Sequence, residues 1–132
     1  MCTKDDVSRG LGEGGEEALV KAILLLHRRE GMSVDEFRRY WRASHAPLLV
    51  QLPGLQRLVF NYGQSDGTGG AAPYDGISED WFESAEAMQA AFSSPAGQAV
   101  LADVPNFLDP SKIQMTVVEE DEVEIPVGSA VD

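Results

Sequence analysis

Ala22-Ile23-Leu24-Leu25-Leu26 is the stretch on which the fold turns. It is the longest unbroken apolar run in the chain and is far too short to span a bilayer, which takes about 20 residues. Leu19 to His27 reads as a strand, with Ala22, Leu24 and Leu26 on one face and Ile23 and Leu25 on the other. An antiparallel sheet with one wet face alternates apolar and polar residues, and this segment does not. Val59 and Phe60 split between the faces in the same way, as do Val117 and Val118. One chain of 132 residues predicts too few helices to cover both sides of a sheet. A second copy is therefore expected on the bare face, as a twofold homodimer.

The flanking sequence supplies the other elements. Glu30-Gly31-Met32 reads as a turn, and Ser33 followed by Glu36 forms a capping box that opens a helix running to His45 and fraying near Pro47. Leu52-Pro53-Gly54 breaks the chain. Leu55 to Tyr62 predicts a second strand, residues 63–73 a Gly-rich loop, and Tyr74 to Phe82 a third strand weakened by Gly76 and its acidic residues. Ser84 can cap a helix over Ala85 to Phe92, and Ser94-Pro95 can restart it towards Phe107. Ser111 to Glu120 predicts the last strand. The order β-α-β-β-α-β is the ferredoxin-like pattern of the α+β class, a four-stranded antiparallel sheet with helices on one side. The sequence shows no internal repeat and no low-complexity tract.

The net charge of −12 is unevenly spread. Residues 1–17 hold two basic and five acidic groups, and residues 119–132 hold six acidic groups and no basic one. Residues 18–118 carry eight basic and eleven acidic groups, so the folded body is near neutral. The expected organisation is a disordered tail over 1–17, one domain over 18–120, and an acidic tail, or an arm across a partner, over 121–132. An acidic chain argues against nucleic acid as a partner. The single Cys2 excludes an internal disulfide and a cysteine metal site. No secretory leader and no membrane span are expected, so a cytoplasmic protein is the default.

His45 is the one side chain on the first helix's apolar stripe that exchanges a proton near neutral pH. On a helical wheel it falls within about 20° of Val34 and about 40° of Trp41, with Phe37 on the same flank. It reads equally as a core histidine bonded to a backbone carbonyl and as a general acid or base. Trp41, one turn away, is the first candidate to line a pocket, and Phe37, Phe60 and Trp81 can supply further aromatic lining for a flat ligand. Tyr62 and Asn61, at a strand end beside the long loop, can donate to a carbonyl oxygen. Arg38, about 40° from the stripe centre, can reach a substrate carboxylate. Asp75 and Asp80 are five residues apart and lie on opposite strand faces, so only one of them can enter a given cavity. Either can orient an imidazole or act as a second proton carrier. His27 is expected as an exposed histidine at a strand end. A metal held by His27 and His45 would need a third ligand that no spacing supplies, so no metal is expected. There is no G-x-S-x-G and no phosphate-cradling motif.

Several segments together resemble the EthD family, named for a protein linked to ethyl tert-butyl ether degradation. They are Gly31-Met32-Ser33-Val34-Asp35-Glu36-Phe37-Arg38-Arg39-Tyr40-Trp41, His45-Ala46-Pro47-Leu48, Leu52-Pro53-Gly54-Leu55, Tyr74-Asp75-Gly76-Ile77 with Trp81-Phe82, and Phe92-Ser93-Ser94-Pro95-Ala96-Gly97-Gln98. The likeness covers roughly residues 20–120. It implies a dimeric α+β barrel with a small-molecule pocket in each subunit. It also implies chemistry such as lactone isomerisation, dehydration, decarboxylation or cyclisation, and related barrels carry out cofactor-free oxygenation. The match to the family's His-x-Pro segment tilts His45 towards catalysis. The expectation is a cofactor-independent lyase or isomerase for a small apolar carbonyl-bearing or phenolic molecule. His45, Asp80 and Tyr62 are its catalytic candidates, and Trp41, Phe37, Asn61, Arg38, Phe60 and Trp81 its binding candidates. The alternatives are a non-catalytic carrier and a cofactor-free monooxygenase.

Overall fold

In the computed structural model, residues 19–130 are described. The expectation for residues 1–17, and Cys2 with it, lies outside them. Four strands, β1 (Val20–Leu26), β2 (Leu55–Tyr62), β3 (Gly76–Phe82) and β4 (Gln114–Val118), form one sheet in the order β2-β3-β1-β4. Every pairing is antiparallel, which is the ferredoxin-like arrangement. The apolar run of β1 is central, paired to β3 on one side and β4 on the other.

Helix α1 (Val34–Tyr40) begins as its sequence dictates. The Glu36 N–H donates to Ser33 Oγ at 3.0 Å, and the Ser33 N–H donates to Glu36 Oε1 at 2.8 Å. Such a cap stabilises a helix by about 1 kcal/mol. The helix does not fray before Pro47. A π turn, Trp41–His45, carries it into a last turn, α2 (Ala46–Leu49). The Ala46 N–H reaches back five residues to the Trp41 carbonyl. A proline inside a regular helix lacks a donor and presses its ring on the carbonyl four residues earlier. The widened turn accommodates Pro47 at that point, and such bulges cluster at functional positions.

Helices α3 (Ala85–Ser93) and α4 (Pro95–Asp103) are separated at Ser94, whose Oγ accepts from the Gly97 N–H at 3.1 Å. Ser84 Oγ caps α3 by accepting from the Ala87 N–H at 3.0 Å. Short 3-10 turns, Val104–Asn106 and Pro110–Lys112, lead into β4.

Helices α1 to α4 and the π turn lie on the sheet face that carries Ala22, Leu24, Leu26, Phe82 and Phe60. There they bury one cluster around Met88, Ala91, Val100, Leu49 and Leu52, and another around Phe37, Trp41, Phe107 and Leu108. Gly76 belongs to β3 because Trp41 needs the space. A Cβ at that position would sit 2.5 Å from the indole ring.

None of these helices packs on the other sheet face. Ile23, Leu25, Val59 and Ile77 are half-buried on it, interleaved with Lys21, Asn61 and Glu79. It is thus less apolar than the strand pattern suggests. Beyond β4 the chain runs exposed through residues 119–126, with Val123 and Ile125 bare, to one helical turn, α5 (Val127–Ala130). Among the described residues no helix is long and apolar enough to cross a membrane.

Candidate active site

Between the sheet and the helices lies a cavity of about 760 Å³. Its walls are largely aliphatic and aromatic, including Leu24, Trp41, Val100, Phe107 and Met115. Its polar lining is His45, Ser78, Asp80, Gln89 and Ser93.

His45 closes the π turn and is 4% exposed. Its Nδ1 lies 2.8 Å from Asp103 Oδ2, and its ring packs 4.6 Å from that of Phe107. Asp103 is itself clamped, since its Oδ1 accepts from Tyr40 Oη at 2.6 Å and from Asn106 Nδ2 at 2.9 Å. Burial alone would raise the Asp103 pKa, but hydrogen bonds from Tyr40, Asn106 and His45 outweigh it and hold the carboxyl below its usual range. An ionised Asp103 only accepts, so Nδ1 carries the proton and Nε2 is left for the cavity. Burial pushes the His45 pKa down, and Asp103 opposes that shift. The imidazole is therefore neutral and basic at Nε2 around neutral pH.

Asp80 is 2% exposed, on the helix face of β3. Its Oδ1 accepts from Ser78 Oγ at 2.6 Å, with no cation among its described hydrogen-bond partners. Burial pushes its pKa up to about 6, against the small lowering effect of the Ser78 hydroxyl.

The cavity unites only part of the candidate set. His45, Asp80 and Trp41 line it. Phe37 and Phe60 do not, because they pack behind Trp41, with ring centroids at 5.3 and 4.0 Å. Tyr62 lies at the far end of β2, edge-on to Trp41 at 5.8 Å and 39% exposed. β2 is the wrong edge of the sheet for the cavity, which lies over β3, β1 and β4. Arg38 points away as well. Its Nη2 donates to the Gly63 carbonyl at 2.7 Å and its guanidinium lies over the Tyr62 ring at 5.1 Å.

Asn61 and Trp81 are on the open face, since each neighbours a residue that faces the helices. Asn61 donates to Glu79 Oε1 at 3.2 Å, and Trp81 Nε1 donates to Glu120 Oε1 at 2.8 Å. Asp75 accepts from the Arg28 N–H at 2.8 Å and pairs with the Arg28 guanidinium, outside the cavity. His27, half-buried, packs on Tyr74 at 5.3 Å. Val34, placed near His45 by the regular wheel, is 39% exposed, because the π turn interrupts the 100° step that the wheel assumes.

Asp103, Tyr40, Asn106 and Ser78 were not among the sequence candidates. One signal was available. Ala96, Val100, Asp103 and Phe107 follow helical spacing, so an acid sits on an apolar stripe.

The EthD domain model matches residues 29–111. The chain belongs to the EthD family. An uncharacterised 11.0 kDa protein from the thcB-thcC intergenic region of Rhodococcus erythropolis is 34% identical over 86 residues, covering 64% of this chain and 79% of that protein. Among solved structures, an EthD family protein from Bacillus halodurans superposes with a TM-score of 0.66 at 23% identity, over 78% of this EthD chain and 99% of its own. A dimeric ferredoxin-like protein of unknown function from Thermobifida fusca gives a TM-score of 0.60 at 16% identity, over 77% and 91%. SnoaB, a cofactor-independent oxygenase from Streptomyces nogalater, gives a TM-score of 0.59 at 11% identity, over 80% and 96%, and that likeness is one of fold.

Proposed function

We propose that the cavity is the active site of a cofactor-independent lyase or isomerase, which moves a proton on a small apolar carbonyl-bearing or phenolic molecule. The observation that carries this reading is that a histidine whose pKa burial pushes down and a carboxyl whose pKa burial pushes up to about 6, His45 and Asp80, line one apolar cavity. In this scheme Nε2 of His45 takes the proton from carbon or oxygen. Asp103 keeps Nδ1 protonated and steadies the imidazolium that forms. Asp80 in its protonated form, which predominates below about pH 6, supplies the complementary hydrogen bond to substrate oxygen. The proton then returns to a neighbouring carbon, giving isomerisation, or to a leaving hydroxyl, giving dehydration. Trp41 forms one wall for a flat substrate.

The unit is a homodimer in this reading. The half-buried Ile23, Leu25, Val59 and Ile77 of the open face support it, as does the dimeric relative of the same fold. The bare Val123 and Ile125 suit an arm laid across the second copy. Light scattering that finds a monomer removes this part.

The fold likeness to a cofactor-independent oxygenase favours one second reading, a cofactor-free monooxygenase. Untargeted mass spectrometry of cell extract incubated with wild type or His45→Ala separates the readings. Loss of water, or an unchanged mass with new retention, in the wild-type sample alone is the expected result. A gain of oxygen with oxygen consumption selects the second reading. A compound that co-purifies with both proteins and is never converted makes this a carrier and contradicts the proposal.

A further inference from the structure

The polar lining of the cavity has a charge and a hydrogen-bonding sense. Among the described residues no Lys or Arg lines it. The Arg38 guanidinium is engaged outside it by the Gly63 carbonyl and the Tyr62 ring. The titratable groups in the lining are His45 and Asp80. Ser78 has turned its hydroxyl proton to Asp80. Asp103 has fixed the His45 proton on Nδ1, so Nε2 is an acceptor. Above about pH 6 Asp80 is an acceptor as well. Nε2 of His45 and the Asp80 carboxylate are thus acceptors, Ser78, Gln89 and Ser93 are uncharged, and among the described lining residues Asp80 carries the only negative charge.

We infer that the cavity selects uncharged, mainly apolar molecules that present a hydroxyl donor, and rejects carboxylates of the same size. A ligand carboxylate would enter an apolar site beside Asp80 with no cation to meet it, which is among the costliest burials. A ligand hydroxyl would donate to Nε2 or to the Asp80 carboxylate, whereas an ether of the same shape would offer no donor to either. The inference rests on the cavity being the ligand site, as proposed above, but not on any proton transfer, so a binding order can stand even if turnover is never found.

Three probes of matched shape test it: 4-butylphenol, 4-butylanisole and 4-butylbenzoate. Calorimetry on wild type at about pH 8 gives affinities. Trp41 emission in the Trp81→Phe protein reports occupancy, because these are the only two tryptophans and only Trp41 lines the cavity. The phenol should bind tightest, the anisole several-fold weaker, and the benzoate at least about tenfold weaker than the phenol. Asp80→Asn should narrow the gap between phenol and benzoate. Benzoate binding as tightly as phenol overturns the inference. So does anisole matching phenol, binding that leaves Trp41 emission unmoved, or no binding by any of the three.

Discussion

Glu79 and Asp80 are consecutive carboxylates on β3, and they have opposite fates. Glu79 faces the open side of the sheet, where Lys21 Nζ lies 2.9 Å away and Asn61 also donates to it. Hydrogen bonding to Lys21 holds its pKa below the ordinary range. Lys21 is in turn raised, first by Glu79 and also by Glu120, against the effect of burial. Asp80 faces the helices and has a serine hydroxyl instead of a cation, so burial dominates and its pKa rises to about 6. One step along a strand thus separates a charge kept ionised by its partner from a carboxyl brought to the edge of protonation. The first arrangement braces a surface. The second leaves a carboxyl near protonation in the cavity that His45 also lines.

The comparison breaks most sharply in activity. Asp80→Asn should lower kcat/KM by about 10²-fold, within the usual range for a general acid or base, while Glu79→Gln should change it less than about twofold. Both are to be measured on whatever compound the extract experiment reveals. Equal effects from the two would remove the contrast.

Stability gives the next effect. The folded-state pKa of Asp80 lies above the unfolded one, so folding takes up a proton between about pH 4 and about 6. Its contribution is favourable below that window and is lost as the pH rises through it. Asp80→Asn should therefore stabilise the protein by about 2 to 3 kcal/mol at about pH 8 and by little at about pH 4. Urea unfolding at the two pH values measures this, and a variant weakened equally at both would contradict it. Glu79 has the opposite sign, because its depressed pKa gives stability that is present at neutral pH and lost on acidification. Its pair is partly exposed, so Glu79→Gln should cost less than about 1 kcal/mol at neutral pH.

The smallest effect is a shift in titration. Asp103 raises the His45 pKa against burial, so Asp103→Asn should lower it further, as read from the imidazole resonances. An upward movement would mean that Asp103 does not face Nδ1 in solution.

Much of this architecture is legible in the chain itself. The Ser33 and Glu36 box, the Ser94-Pro95 restart and the strand order follow from local chemistry. The parity of β3 is also legible, and applied throughout it separates Trp81 from Asp80 as surely as it separates Asp75 from Asp80. The π turn is not legible, since one widened turn leaves no residue type that a regular wheel detects. It moved Val34 out of His45's company. The Asp103 clamp is hidden for another reason. It joins positions 58 residues apart, and only the packing of α4 against α1 and the π turn brings them together. Which side of Trp41 is hollow was equally beyond reach, and that decided against Phe37, Phe60, Tyr62 and Arg38.

The central claim is that burial favours the uncharged forms of both His45 and Asp80 inside one cavity. Side-chain carbon and nitrogen resonances of uniformly labelled protein, followed across the pH scale, test it without a substrate. The expected result is an Asp80 midpoint at about 6 and a His45 midpoint below the ordinary imidazole value, with Glu79 below the ordinary carboxylate value. An Asp80 already fully ionised at about pH 5, or a His45 still charged at neutral pH, would contradict it.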